Sequence, residues 1–250
     1  MERLVIIPTY NEKENIEAII RAVMELPVAF HVLVIDDGSP DGTAGIVKRL
    51  MEGDFAGRLF LVERSGKLGL GTAYICGFQW GIAHQYDYIF EMDADFSHNP
   101  NDLLKLYKAL SEEGADVAIG SRYVSGVNVV NWPMGRVLMS YFASKYVRTV
   151  LGIPVHDTTA GFVGYRREVL ETIELDKIRF KGYAFQIEMK FTAYLYGFTI
   201  REVPIIFVNR VLGTSKMSGG IFSEALLGVL RLKWSSWFRK YNRKPTEDKR

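Results

Sequence analysis

Two pairs of carboxylates stand directly after apolar runs that read as strands. Asp93-Ala94-Asp95 follows Tyr86–Met92, and Asp36-Asp37 follows His31–Ile35. Carboxylate oxygens are hard ligands, so the Asp93/Asp95 pair can hold a divalent cation that bridges the oxygens of a diphosphate. The competing use is structural, with Asp95 capping the turn toward Pro100. At the second pair a carboxylate can accept hydrogen bonds from a base or a ribose, while the run DDGSPDG is rich in turn formers. Both uses are expected there: Asp41 and Gly42 build the turn, and one of Asp36 and Asp37 faces ligand. A third strand end, Pro8-Thr9-Tyr10-Asn11-Glu12, offers a ring to stack on a base and a carboxylate for a sugar or base edge. Its structural alternative is a helix start with Asn11 as cap.

Cations are placed to complement these acids. Arg122, Arg136, Lys181, Arg210 and Lys216 stand in or near loops that follow expected strands or open helices. A site that brings a diphosphate and a second phosphate together needs several cations, and arginine suits them through its two-pronged geometry. Taken singly, each reads equally as a solvated surface charge. Lys216 lies in a polar loop, Gly213 to Ser218, that can close over a ligand. The glycines at 66, 69 and 71 do not make a phosphate loop, because neither GxxxxGK[ST] nor GxGxxG is present. They are expected to form a tight turn and a close helix contact.

The elements that must position these groups alternate. Strands are expected at Arg3–Pro8, His31–Ile35, Arg58–Val62, Tyr86–Met92 and Asp116–Ile119. Helices are expected over Glu12–Leu26, from Asp41 to Leu50, over Thr72–His84 and from Pro100 to about Glu113. Such alternation implies an α/β fold with a mainly parallel sheet covered on both faces, its ligands beyond the carboxyl ends of the strands. The second half is less regular. Amphipathic helices are expected at Pro133–Gly152 and Gly219–Tyr241, a further helix at Ala184–Tyr196, and a strand at Ile200–Val208 whose Pro204 places it near an edge or bulge.

Composition narrows the function classes. The 250 residues are 48% hydrophobic and carry a net charge of +2, which excludes a disordered polyelectrolyte and gives no nucleic-acid footprint. The charge is uneven: residues 231–250 hold eight basic and two acidic side chains, so that end is +6 and the other 230 residues are −4. Cys76 stands alone, and His31, His84, His98 and His156 are scattered, so neither an internal disulfide nor a zinc site is expected. A reducing compartment fits. Leu4-Val5-Ile6-Ile7 is too short for a signal-peptide core, and no apolar run reaches the ~18 residues of a membrane span.

In order along the chain, PTYNEKENI, VIDDGSPDGT, GKLGLGTAY, MDADFSHNP, GSRYVSG, HDTTAGFVGYRREVL, KGYAFQIEM and VNRVLGTSKMS cover most of Pro8–Ser218. Together they resemble glycosyltransferase family 2, with its GT-A fold, and more narrowly the branch that mannosylates dolichyl or other polyprenyl phosphates. The resemblance implies a single Rossmann-like catalytic domain over 1–218 and an amphipathic, basic helix and tail over 219–250. It assigns Pro8, Tyr10, Glu12, Ile35, Asp37 and Ala94 to the nucleotide, and Asp93 and Asp95 to the diphosphate and a divalent metal, Mg2+ or Mn2+. Ser97 stands where relatives often carry a glutamine as third metal ligand, and a shorter hydroxyl implies a bridging water. Arg122, Arg210 and Lys216 become phosphate and sugar contacts. Arg122, Arg136 and Ser140 become the acceptor-phosphate site, and Asp95, Arg122 and Arg136 the catalytic residues.

The implied reaction moves mannose from GDP-mannose to a polyprenyl phosphate. That acceptor is already ionised, so no general base is required, and direct displacement inverts the sugar carbon to a β-linked product. The implied setting is peripheral, at the cytoplasmic face of a membrane, alone or with a small membrane-protein partner. The first halves of Pro133–Gly152 and Gly219–Tyr241 are expected to pack on the domain. Trp234, Trp237, Phe238 and Tyr241, interleaved with Arg231, Lys233, Arg239 and Lys240, suit an interfacial helix on anionic lipid. Three alternatives remain at this level: a polyprenyl-phosphate glucosyltransferase using a UDP-sugar, a magnesium phosphohydrolase, and a non-catalytic nucleotide-binding or membrane-docking module. The phosphohydrolase expects its DxD after the first strand, whereas here it follows the fourth.

Overall fold

A computed structural model of the chain describes residues 1–182, 184–209 and 221–241, with backbone alone for 221–226. The first half runs β1 Arg3–Thr9, α1 Ile16–Met24, β2 His31–Asp36, α2 Thr43–Glu52, β3 Leu59–Glu63, α3 Leu70–Ala83, β4 Tyr88–Glu91, α4 Asp102–Ser111 and β5 Val117–Ser121. The second half adds β6 Val129–Val130, α5 Met134–Leu151, β7 Val163–Arg166, α6 Arg167–Thr172, a 3-10 turn Leu175–Lys177, α7 Ala184–Leu195, β8 Ile200–Pro204, β9 Phe207–Val208 and α8 Ile221–Ser236.

Among the described residues seven strands form one sheet in the order β3-β2-β1-β4-β7-β5-β8, and β6 pairs with β9 in a small second sheet. All pairings are parallel except the two made by β7. The sheet is covered on both sides, which is why its central strands β1, β2 and β4 are mostly apolar, with Glu91 of β4 a buried exception. Leu4 and Ile6 of β1 face Tyr74, Phe78 and Phe185, while Val5 and Ile7 face Ile16, Ile20 and Leu103.

Strand β7 is absent from the sequence-based expectations. Gly164 at its centre weakens the strand signal, and the structure supplies the reason for it: a Cβ there would lie 2.7 Å from the Phe90 ring. The expected strand Ile200–Val208 is divided at Ile205-Ile206. β8 is an edge strand ending at Pro204, and β9 leaves for the second sheet. Helix α8 is not detached from the domain: Val229 and Leu232 enter the core, and Lys233 Nζ donates to Leu151 O at 3.0 Å. No helix among the described residues is long and apolar enough to cross a membrane.

Candidate active site

The parallel strands β1, β2, β4 and β5 bring their carboxyl ends to one sheet edge, and the strand order reverses between β1 and β4. A crevice opens at such a reversal. Pro8 through Glu12, Asp36-Asp37, Asp93 through Ser97 and Arg122 all leave strands at this edge.

The loops after β1 and β2 are tied into one unit. Asp37 N donates to Thr9 O at 2.9 Å, Asn11 N to Ser39 Oγ at 2.9 Å and Glu12 N to Thr43 Oγ1 at 3.1 Å. Asn11 has φ +56°, so it turns the chain, and α1 begins five residues later, at Ile16 behind its cap Asn15. Asp41 Oδ1 receives Thr43 N at 3.0 Å, closing the first turn of α2 from one place before the Gly42 cap.

The structure divides the work of Asp36 and Asp37. Asp36 is buried, with Oδ1 accepting from Ser39 N at 2.9 Å and Oδ2 from Thr9 Oγ1 at 2.9 Å and Ser39 Oγ at 2.5 Å. It is consumed by the loop. Asp37 Oδ1 accepts from Arg64 Nε at 2.6 Å, and Oδ2 has no hydrogen-bond partner among the described residues. Arg64 is braced in turn by Thr72 Oγ1 at 2.9 Å. Beside it, Lys67 Nζ lies 5.4 Å from the Tyr10 ring centroid. The glycines of this segment serve packing: Gly69 has φ +105°, and a Cβ on Gly71 would sit 2.8 Å from the Phe185 ring. Lys181 contributes its carbonyl, which accepts Gly71 N at 2.8 Å.

Asp93, Ala94 and Asp95 follow β4. Asp95 is nearly buried, and its Oδ1 accepts from Ser97 N at 3.0 Å across Phe96, which is held at φ +58°. A bulky residue in the left-handed region is strained, and such strain collects at functional turns. His98 lies behind the pair, its Nδ1 accepting from Asp93 N at 3.5 Å and its ring stacked on Phe162 at 4.8 Å. Burial holds this imidazole down to about 4, hence neutral at pH 7. The donors at this loop are therefore oxygens, from Asp93, Asp95 and the Ser97 hydroxyl. That set suits Mg2+ or Mn2+. Among the described residues no three acidic, histidine or cysteine side chains converge. Two carboxylates fit an ion shared with a ligand diphosphate better than one caged by protein alone.

Arg122 leaves β5 and is gripped by Asp157. Nε donates to Oδ2 at 2.7 Å, Nη2 to Oδ1 at 2.6 Å and the backbone N to Oδ2 at 2.9 Å. Burial alone would raise the Asp157 carboxyl, but the Arg122 guanidinium takes it below its ordinary range. Glu202 fixes Asp157 from β8, accepting Asp157 N at 2.9 Å and His156 N at 2.7 Å. Arg136 and Ser140 lie one turn apart on α5. The Arg136 guanidinium stacks over Trp132 at 4.1 Å and donates to Asn209 Oδ1 at 3.2 Å. β9 carries Asn209 past the acidic loop, with Val208 N on Ser97 O at 3.2 Å. Arg136, Arg122 and the 93–97 loop are thus joined through one short sheet. Arg210 and Lys216 lie outside the described residues.

Sequence reasoning gave no role to what lies beneath. Glu91, two residues before Asp93, is fully buried and accepts from Gln186 Nε2. Gln186 Oε1 accepts from buried Lys190 Nζ at 3.2 Å, which also donates to Ala160 O at 2.7 Å. Ala160 N returns to Asp157 O at 3.4 Å. A polar chain therefore runs under the site from the acidic loop to the Arg122 clamp. Burial pushes the Glu91 carboxyl up to about 8 and pulls the Lys190 ammonium down to about 8. The visible signal was Gln186 and Lys190, four residues apart on a helix buried along most of its length.

Comparisons with known proteins give the family and the fold. The family model described as glycosyl transferase family 2 matches residues 4–174. The chain is 49% identical over 226 residues to a polyprenol monophosphomannose synthase of Mycolicibacterium smegmatis, covering 90% of this chain and 84% of that protein. It is 46% identical over 231 residues to an undecaprenyl-phosphate mannosyltransferase of Micrococcus luteus, covering 92% and 93%. Two solved structures share the fold at 20% identity. One is a glucosyl-3-phosphoglycerate synthase from Mycobacterium tuberculosis with Mn2+ and UDP, at TM-score 0.64 over 94% of this chain and 79% of that one. The other is a mannosyltransferase from Pyrobaculum calidifontis with GDP-Man and Mn2+, at TM-score 0.61 over 98% and 66%. With a GT-A-like sheet, acidic strand ends facing one crevice and two relatives alike over nine-tenths of its length, the chain belongs to glycosyltransferase family 2.

Proposed function

We propose that this chain transfers mannose from GDP-mannose to a polyprenyl phosphate, with inversion, giving a β-linked mannosyl phosphate lipid. The observation that carries the reading is the 46–49% identity, over about nine-tenths of the chain, to two enzymes whose names describe mannosylation of a polyprenol phosphate. Asp93 and Asp95, with Ser97 directly or through water, hold Mg2+ or Mn2+. The ion supplies positive charge for the departing nucleoside diphosphate.

The chain's own residues bind and orient. Pro8, Tyr10, Glu12, Ile35, Asp37 and Ala94 take the nucleoside, and Arg210 and Lys216 the donor's phosphates and sugar. Arg122, Arg136 and Ser140 receive the acceptor phosphate, and the Asp157 clamp fixes one edge of the Arg122 guanidinium for that purpose. No base is needed for an ionised phosphate, which is consistent with His98 being buried, neutral and engaged by Asp93 N. The first half of α5, expected to pack on the domain, instead leaves Met134, Leu138 and Phe142 exposed while Ser144, Val147 and Leu151 are buried. These exposed side chains, with Trp234, Trp237 and Phe238 at and just beyond the end of α8, suit work from the cytoplasmic surface of a membrane. In this reading residues 1–218 carry catalysis and 219–250 add the membrane-facing end.

The test is transfer of labelled mannose from GDP-mannose to a short polyprenyl phosphate, with and without a divalent metal. Transfer that requires metal and yields the β-anomer is expected. Preference for UDP-glucose, an α-linked product, or full activity after chelation would overturn the reading.

A further inference from the structure

Outside the strand-end crevice, α7, α8 and segment 177–180 enclose a cavity of about 730 Å3. Helix α8 approaches closely here because Gly228 has no side chain: a Cβ would lie 2.7 Å from the Phe180 ring. Four cations line the cavity, Lys177, Arg179, Arg231 and Arg239. Lys177 and Arg239 share one acid, Glu174. The acid in the wall, Glu188, is already occupied by Arg179 N and Phe180 N at 2.9 and 3.0 Å. Arg179 and Arg239 also act on Glu188 through their charge, so four cations face two acids, Glu174 and Glu188, and Arg231 forms no ion pair among the described residues. The cavity therefore has surplus positive charge. Trp234 and Phe238 line it as well, yet are 63% and 75% exposed, and Trp237 beside them is 66% exposed. An aromatic rim around a cationic pocket is complementary to an anionic amphiphile.

We propose that this cavity binds the phosphate head group of an anionic membrane lipid, with Arg179 and Arg231 on the phosphate and Trp234 and Phe238 against the adjoining apolar part. The inference rests on the reading that the chain works at a membrane surface, and adds a specific lipid contact to it. The pocket is separate from the proposed acceptor site. Lys233, between the lining residues Leu232 and Trp234 on α8, meets Leu151 at the far end of α5. Leu151 is fifteen residues from Arg136, about 22 Å of helix. A phosphate at one place cannot occupy the other.

Flotation of the full chain with phosphatidylcholine vesicles, with and without phosphatidylglycerol, tests the proposal. Phosphatidylglycerol should tighten binding about tenfold or more. The double variant Arg179→Gln/Arg231→Gln should lose that gain while keeping its thermal unfolding, its binding to neutral vesicles and its transfer to a short soluble acceptor. Glycerol 3-phosphate alone should bind the parent chain far more weakly than phosphatidylglycerol vesicles do; equally tight binding, lost in the double variant, would assign the pocket to a free phosphate ester instead of a lipid. An undiminished phosphatidylglycerol effect in the double variant overturns the pocket and leaves membrane association standing. Failure of the parent chain to float with either vesicle overturns both.

Discussion

The carboxyl ends of β2 and β4 both present closely spaced aspartates to the same crevice, and they rest on different foundations. Beneath Asp36 the strand is apolar and buried from Val32 to Ile35. Its first aspartate is spent on Thr9 and Ser39, so the loop holds itself. Beneath Asp93 the strand carries Glu91, wired through Gln186 and Lys190 to the turn that holds Asp157 and Arg122. One end is braced locally. The other is braced at a distance, through groups that are costly to bury. A local brace suffices to shape a binding loop. A distant one fixes two charged parts of a site relative to each other.

The sharpest way to break this contrast is at the acidic loop itself. Asp95→Ala should lower kcat by about 10³-fold, a loss of about 4 kcal/mol in transition-state stabilisation. The Ser97 N–H also loses its acceptor, so stability should fall by about 1–3 kcal/mol, well short of unfolding the chain. Raising Mn2+ should recover part of the rate. Transfer at the parental rate would remove Asp95 from the metal and diphosphate.

The next effect belongs to Lys190→Met, which should cost about 10- to 100-fold in kcat, or about 1.4–2.7 kcal/mol. KM for GDP-mannose should stay near the parent value, and Lys190→Arg should restore part of the rate. Stability at pH 7 should fall by about 1–3 kcal/mol, because Ala160 O and Gln186 Oε1 lose a buried donor, a loss offset only in part by sparing the burial of the charge. The sign with pH is defined. The folded ammonium titrates at about 8 and the unfolded one near its ordinary 10.5, so between these values the unfolded chain binds more protons. Lys190 thus makes stability rise with pH across that window, by about 1–3 kcal/mol, and the methionine variant should lack this rise. A variant that loses stability but keeps kcat would reduce Lys190 to a packing role.

Much of this was legible in the sequence, for physical reasons that differ by region. Strands buried on both faces read as largely apolar runs, so β1, β2 and β4, and the aspartates that follow β2 and β4, could be placed directly. β7 was not legible because its central glycine makes room for Phe90, a requirement set by a strand distant in sequence. The polar chain under the site was hidden similarly. Glu91, Gln186, Lys190 and Asp157 meet only after the sheet places β4 beside β7 and α7 packs beneath them. Asp157 stood within a quoted motif, HDTTAGFVGYRREVL, but its role depends on Arg122, thirty-five residues away. Resemblance supplied the acceptor-site assignment of Arg136 and Ser140. Spacing alone leaves them ordinary residues of an amphipathic helix.

Asp36→Ala tests the local brace. It leaves Thr9 Oγ1 and the Ser39 backbone N–H without their acceptor and should cost about 1–3 kcal/mol in stability. The metal dependence of transfer should stay the same, because the loop after β4 is not among the groups Asp36 holds. A change in metal dependence equal to that of Asp95→Ala would show that the two strand ends are not independently braced.

The smallest effect separates the two neighbouring aspartates. Asp37→Asn keeps the shape of the side chain and weakens its pairing with Arg64, which Thr72 still braces. If Asp37 turns its second oxygen to the donor nucleoside, the asparagine variant should raise KM for GDP-mannose about five- to tenfold, roughly 1 kcal/mol, with kcat unchanged. Such a split marks an interaction made equally in the ground and transition states. A purely structural Asp37 predicts the reverse, with lower thermal stability and an unaltered KM. The loop after β2 would then be braced twice and would bind nothing through its aspartates, leaving donor recognition at that end to Ile35, to Pro8 of β1 and to Tyr10 and Glu12 in the loop that follows it.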